Sequence, residues 1–151
     1  MVARQRQFGW DLLLNEHRVV CRGADSIVIA GTENDGRPPF PSRADLSKAL
    51  KGVGKGSFVV LLQHDPSAWE RNILPHSHAQ LTLSGHTHGG QVSIFGLRPT
   101  IISYKQDKGL YTQGQRSLFV SSGLGGVVPF RFGVPPEVVV ITLRRGKVAE
   151  K

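Results

Sequence analysis

His86 and His88 stand two residues apart in Ser84-Gly85-His86-Thr87-His88-Gly89-Gly90-Gln91, and a third histidine, His64, sits in Gln63-His64-Asp65-Pro66. Along extended backbone, side chains i and i+2 point the same way, so this spacing predicts that His86 and His88 aim two imidazoles at one place. Gly85 on one side and Gly89-Gly90 on the other let the chain turn sharply and approach a ligand where bulkier residues would obstruct. Imidazole is the commonest side-chain ligand for first-row transition metals. No thiolate competes, because Cys21 is the only cysteine; the same count excludes an intrachain disulfide and a thiolate-rich zinc site. The chemistry on offer is therefore metal ligation, with His64 converging from a neighbouring strand. His76 and His78 repeat the spacing without the glycines, and Pro75 and Ser77 mark them as turn residues. His17 reads as the surface of a hairpin.

Those histidines need elements to carry them. Residues 57–62 form an almost wholly apolar run, the pattern of a strand covered on both faces, and deliver His64 at its C-terminal end. Residues 79–83 form a second such strand, ending at the Gly85-His86 step. Upstream, residues 12–14, 17–21 and 26–30 are short β-favouring runs that read as an antiparallel meander. Residues 31–36 then make a polar loop that Pro38, Pro39 and Pro41 extend, and Glu33, Asn34 and Asp35 serve its turns rather than a metal. Ser42 is the expected N-cap of a helix running to about Lys51 and closed by Gly52, and a short helix is expected over residues 67–74. Residues 92–95, 110–112, 118–121 and 138–143 read as further strands. Between them, Ser121-Ser122-Gly123 to Gly126 has the composition of a backbone-amide phosphate cradle, but no helix pattern follows to supply the usual N-terminus. With 151 residues and 39% hydrophobic content, the reading is one α/β, strand-rich domain over residues 1–151.

Nineteen Lys and Arg against eleven Asp and Glu give a net charge of +8, a balance that attracts phosphates, nucleic acid or anionic lipid. The basic residues are scattered, with short clusters at 4–6, 48–55 and 144–147 and few aromatics among them. Solvated surface fits this distribution better than a nucleic-acid groove. The longest apolar runs are strand-sized, far short of a membrane span, and no signal peptide is visible. Any anchor of a parent protein is expected upstream of this chain.

The string Leu83-Ser84-Gly85-His86-Thr87-His88-Gly89-Gly90-Gln91, preceded by Leu61-Leu62-Gln63-His64-Asp65-Pro66, resembles the last two metal motifs of the calcineurin-like metallophosphoesterase superfamily. The nearest subgroup is bacterial phosphohydrolases, often membrane-associated, whose tail is similar to Ser122-Gly123-Leu124-Gly125 followed by Arg131-Phe132-Gly133-Val134-Pro135-Pro136-Glu137. The resemblance runs from about residue 10 to residue 143. It implies the C-terminal part of a four-layer α-β-β-α sandwich and a hydrolase of phosphate esters with a dinuclear metal site. His64 and His86 would then ligate one ion and His88 the other, the ions being manganese, iron or zinc, among which imidazoles do not choose. Two ions so placed polarise a phosphoryl oxygen and activate a hydroxide for in-line attack.

The family's earlier motifs, an Asp-x-His, a Gly-Asp-x-x-Asp and a Gly-Asn-His followed by an acidic residue, do not occur in this sequence. With them go the bridging carboxylate and the remaining ligands, so no catalytic residue is assigned and the substrate-binding residues stay open. The expectation is a C-terminal half, inactive in isolation, whose partners are the missing N-terminal half of the same domain and a phosphate-ester substrate. Apolar surface left bare by that half predicts self-association. The alternative is a noncatalytic metal- or phosphate-binding module acting in an assembly.

Overall fold

Val, Ile and Leu pack best on a pleated, partly buried surface, and the runs rich in them pair into one mixed sheet. The computed structural model describes residues 2–146. Helix α1 (Val2–Gln7) precedes the hairpin of β1 (Glu16–Arg22) and β2 (Asp25–Gly31). A short helix α2 (Leu46–Ala49) leads to β3 (Val59–Leu62), and a π-helical turn (Trp69–Ile73) runs on into α3 (Leu74–His76). Then come β4 (Leu81–Ser84), two 3-10 turns (His88–Gly90 and Pro99–Ile102), and the hairpin of β5 (Gly109–Gln113) and β6 (Arg116–Val120). The strand order is β1-β2-β3-β4-β6-β5; β2, β3, β4 and β6 run parallel, and each edge strand is antiparallel to its neighbour.

The two faces of this sheet differ. Ala30, Leu61, Thr82 and Leu118 lie side by side across the parallel strands and are completely buried. Trp69 and Ile73 pack on this face, with Leu46, Leu50 and Leu74 around them. Burying a side chain such as Leu61 contributes about 1.5–3 kcal/mol. Arg116 ties the helical layer down, donating to the carbonyls of Ile73, Leu74 and Ala79 at 2.9, 2.7 and 3.0 Å. On the other face Leu62, Leu83, Phe119 and Leu110 form a row, and Leu62 and Leu110 remain 40% and 66% exposed. The result is the strand-rich α/β architecture expected from the sequence, one helical layer on one sheet.

Several segments depart from expectation. Residues 12–14 and 138–143 are in no strand, although both are apolar and extended in pattern. Neither run pairs with the edge strands of the open sheet, β1 and β5, among the described residues. Residues 92–95 form only isolated bridges, from Val92 to Phe132 and Gly133 and from Ile94 to Leu97, because Phe95 and Gly96 both take positive φ and turn the chain back. The helix expected from Ser42 begins later. Asp45 is its N-cap, accepting from the Lys48 amide at 2.8 Å, while the Ser42 hydroxyl is spent on Asp35. The surface helix α1 was not anticipated and buries no residue.

Candidate metal centre

In parallel sheets, ligands gather beyond the carboxyl ends of the strands, and β3 and β4 end here side by side. Their pairing continues past the strands: Gln63 N–H donates to the Leu83 carbonyl at 3.1 Å, and Gly85 N–H to the His64 carbonyl at 3.2 Å. That ladder fixes His64 against the residue preceding His86. Asp65 is buried and turned to structural work, its carboxylate accepting the Ser67 amide at 2.8 Å. Gln63 is buried likewise and donates to the Thr32 hydroxyl at 2.7 Å. Beside the histidine a cavity of about 350 Å³ is lined by Thr32, Leu62, Gln63, His64, Leu83 and Ser84.

The loop that carries His86 and His88 is not extended. His86 and His88 both take left-handed backbone, φ 69° and 52°, with a helical Thr87 between them. Alternation of side chains therefore does not apply, and the reason lies in Thr87. Its buried hydroxyl donates to the Asp107 carbonyl and accepts from Gly89 N–H, which winds the segment into a 3-10 turn. Gly89 (φ 60°) belongs there on steric grounds: a Cβ would stand 2.9 Å from Val134 Cγ1. At Gly85 a Cβ would meet nothing in the chain nearer than 4.0 Å, so packing within the chain does not require glycine there. Positive φ at two non-glycine residues stores strain of about 1–3 kcal/mol each, held by the surrounding bonds.

What this winding achieves is a pairing of His64 with His86. His86 Nδ1 lies 3.2 Å from His64 Nε2, the rings meeting edge to face with centroids 5.0 Å apart. Two nitrogens bound to one ion at about 2.0–2.1 Å span such a distance at a roughly tetrahedral angle, so this donor pair fits one edge of a metal's coordination shell. His64 keeps an open side to solvent; partial burial first, then the charge of His86, lower its pKa below the ordinary 6.5 against the opposing charge of Asp65, and His88 adds a lesser lowering. A lowered pKa favours the neutral imidazole that ligation requires. The His88 ring makes no hydrogen bond among the described residues. Nor do those residues contain any group of three or more His, Cys, Asp or Glu side chains able to hold an ion.

Several residues that sequence reasoning did not single out shape this centre. Tyr104 places its hydroxyl 2.7 Å from His86 Nε2, and Phe40 meets the same ring edge-on at 5.6 Å. Asp107, buried, is gripped by Arg98 Nε and Nη2 at 2.5 and 3.0 Å and by the hydroxyls of Thr100 and Tyr111. Burial pushes the Asp107 pKa up, but those donors and the Arg98 charge prevail and hold it below its ordinary value. Gln91 is buried with its amide fully used, accepting from the N–H groups of Val127 and Val128 and donating to the carbonyls of Val128 and Phe130. Four amides of this stretch are thereby engaged within the chain: Gln91 takes those of Val127 and Val128, Glu137 takes that of Ser122, and the Ser121 hydroxyl takes that of Gly123. Glu33 and Asp35 are bonded within the chain, Glu33 to Asn15 and Asp35 to Ser42 and Asn72.

Relatives carry this arrangement further. The chain is 34% identical over 122 residues to an "Uncharacterized metallophosphoesterase" of Aquifex aeolicus (strain VF5), covering 78% of this chain and 46% of that protein. It is 31% identical over 148 residues to a "Transmembrane protein with metallophosphoesterase domain" of Danio rerio, covering 91% and 33%. The chain belongs to the metallophosphoesterase superfamily. A third relative, "Phosphodiesterase YaeI" of Escherichia coli (strain K12), is 27% identical over 143 residues, covering 89% of this chain and 48% of that one. This metallophosphoesterase chain thus spans less than half the length of each of these relatives. No family model and no solved structure matches it. Membership implies use of divalent metal, and among the described residues His64 and His86 bring two imidazole nitrogens within 3.2 Å of each other. No helix among them is long and apolar enough to cross a membrane.

Proposed function

We propose that this chain contributes the imidazole side of a dinuclear centre in a metal-dependent phosphohydrolase, with His64 and His86 holding one ion and His88 contributing to the other. The observation that carries the reading is the 3.2 Å approach of His64 Nε2 to His86 Nδ1 at the ends of adjacent parallel strands. When bound, divalent ions would supply Lewis-acid polarisation of the phosphoryl group and a water of lowered pKa. The chain's own residues bind and orient. The ladder past β3 and β4 sets the separation of the two imidazoles, and the Thr87 turn sets the backbone of His88. The carboxylates that complete such a centre would come from the remaining half of the same domain. The relatives' names support phosphate esters, diesters included, as the substrate class, and the Danio rerio name supports a membrane-associated setting for the whole protein. A noncatalytic metal- or phosphate-binding module within an assembly is the second reading, favoured by the absence of a group of three ligands among the described residues.

Two measurements test the proposal. Substoichiometric manganese added to the chain should broaden the imidazole resonances of His64 and His86 before those of His17, His76 and His78, and the selectivity should vanish in His86→Ala. Broadening led by His76 and His78 would remove the site. With excess manganese the isolated chain should hydrolyse an aryl phosphate no faster than background. Metal-dependent turnover that disappears in His86→Ala would show that the centre needs no second half.

A further inference from the structure

We propose that Tyr104 is a positioning residue for His86: its hydroxyl oxygen receives the Nε2 proton, so that the lone pair is on Nδ1, the nitrogen turned towards His64. The geometry assigns the two ring nitrogens different surroundings. Nδ1 is 3.2 Å from His64 Nε2, whereas Nε2 is 2.7 Å from the Tyr104 hydroxyl. Only Nδ1 can therefore share an ion with His64, and an imidazole that ligates through one nitrogen carries its proton on the other. That N–H needs an acceptor, and second partners of this kind orient a ligating ring and fix its tautomer. A phenol oxygen can accept while donating its own proton elsewhere.

Tyr104 is itself held. The Arg37 guanidinium lies over its ring, 5.1 Å from the centroid, and Arg37 Nη2 donates to the adjacent Ser103 carbonyl at 2.8 Å. Arg37 comes from the polar loop after β2 and Tyr104 from the segment after the second 3-10 turn, so two loops close on the His86 ring. Phe40, from the same loop as Arg37, packs on that ring edge-on without offering a hydrogen bond. Packing by Phe40 restricts where the ring lies. Only Tyr104 distinguishes one nitrogen from the other on that side.

The inference rests on the reading of His86 as a ligand, but its deciding measurement needs no metal. In the metal-free chain, held at a pH above the histidine range, long-range proton–nitrogen NMR spectra report which nitrogen of each imidazole is protonated. His86 should appear with the proton on Nε2. Tyr104→Phe keeps the ring and removes the oxygen, and should move His86 to a mixture of tautomers while His17 and His76 stay unchanged. Phe40→Leu should leave the His86 tautomer as it is. Wild-type His86 protonated on Nδ1, identical His86 spectra in wild type and Tyr104→Phe, or the same change in Phe40→Leu would each overturn the proposal. A zinc titration then adds the second readout, with affinity expected to fall roughly tenfold in Tyr104→Phe. If zinc avoids His64 and His86 altogether, the metal reading fails while the tautomer result still decides the role of Tyr104.

Discussion

Glu137 shows how much of the centre depends on residues that never face it. Its carboxylate accepts from Lys108 Nζ at 2.8 Å, from Ser122 N–H at 2.8 Å and from the Ser121 hydroxyl at 3.1 Å. Burial raises its pKa, yet those donors and the Lys108 charge outweigh burial and hold it down at about 2, from an ordinary 4.5. A carboxylate with a depressed folded pKa stabilises fully above its unfolded value and progressively less as pH falls through the folded one. Urea midpoints should therefore decline between about pH 4.5 and pH 2, and Glu137→Gln should be less stable at neutral pH and flatter through that window. An unchanged slope in the variant would mean that other carboxylates set it. Lys108 also passes close to Gly89, whose missing Cβ would stand 3.2 Å from Lys108 Cδ, so the ion pair braces the turn that carries His88. The approach of His64 to His86 was legible in the sequence because imidazole, glycine and strand ends coincide there. Tyr104 was not: a lone tyrosine 18 residues from His86 carries no local signal, and only the fold brings it to 2.7 Å.

Among the elements, the entrance to β1 hangs on one side chain. Asn15 is buried, takes left-handed backbone at φ 61°, and uses its amide in full. Its oxygen accepts from the amides of Glu33 and Asp45 at 3.0 and 2.9 Å, and its nitrogen donates to Glu33 Oε2 and the Arg43 carbonyl at 3.0 and 3.1 Å. One residue thus ties β1 to the polar loop after β2 and to the N-cap of α2. Asn15→Ala strands two backbone donors and places a side chain with no local hydrogen bond at positive φ. The expected loss is roughly 2–4 kcal/mol in denaturant unfolding, and Asn15→Gly, which relieves the backbone alone, should recover only part of it. A loss under about 0.5 kcal/mol in Asn15→Ala would show that water replaces these bonds. The strands around this latch were readable for a physical reason. Parallel strands covered on both faces appear as near-continuous apolar runs, and β3 fits, with Val59, Val60 and Leu61 buried. The same pattern misleads over residues 12–14 and 138–143, because an apolar run reports what a segment favours and not whether it finds a partner strand.

For the molecule as a whole, the unequal faces of the sheet matter most. Trp69, Ile73 and their neighbours cover one face, whereas the row of Leu62, Leu83, Phe119 and Leu110 is only half covered. Residues 138–143 add to the bare apolar surface, with Val138 and Val140 at 76% and 88% exposure and Val139 and Ile141 at 37% and 40%. Such alternation is that of a strand with one side against the protein and one side open, and its backbone has no ladder. Extended, apolar and unpaired segments of this kind seek a partner. The +8 charge opposes association, but charge repulsion is screened beyond about 8 Å at physiological salt while apolar contact is not. We therefore expect self-association of the isolated chain, with the mean sedimentation coefficient rising from micromolar to hundreds of micromolar, more steeply as salt is added. Leu110→Lys, which places a charge on the open face far from the histidines in sequence, should lower that rise without changing the thermal midpoint of the dilute chain. A single monomeric species across the whole range would mean that the half-covered face is tolerated as it stands, and that covering by the other half of a phosphohydrolase domain is not what this surface requires.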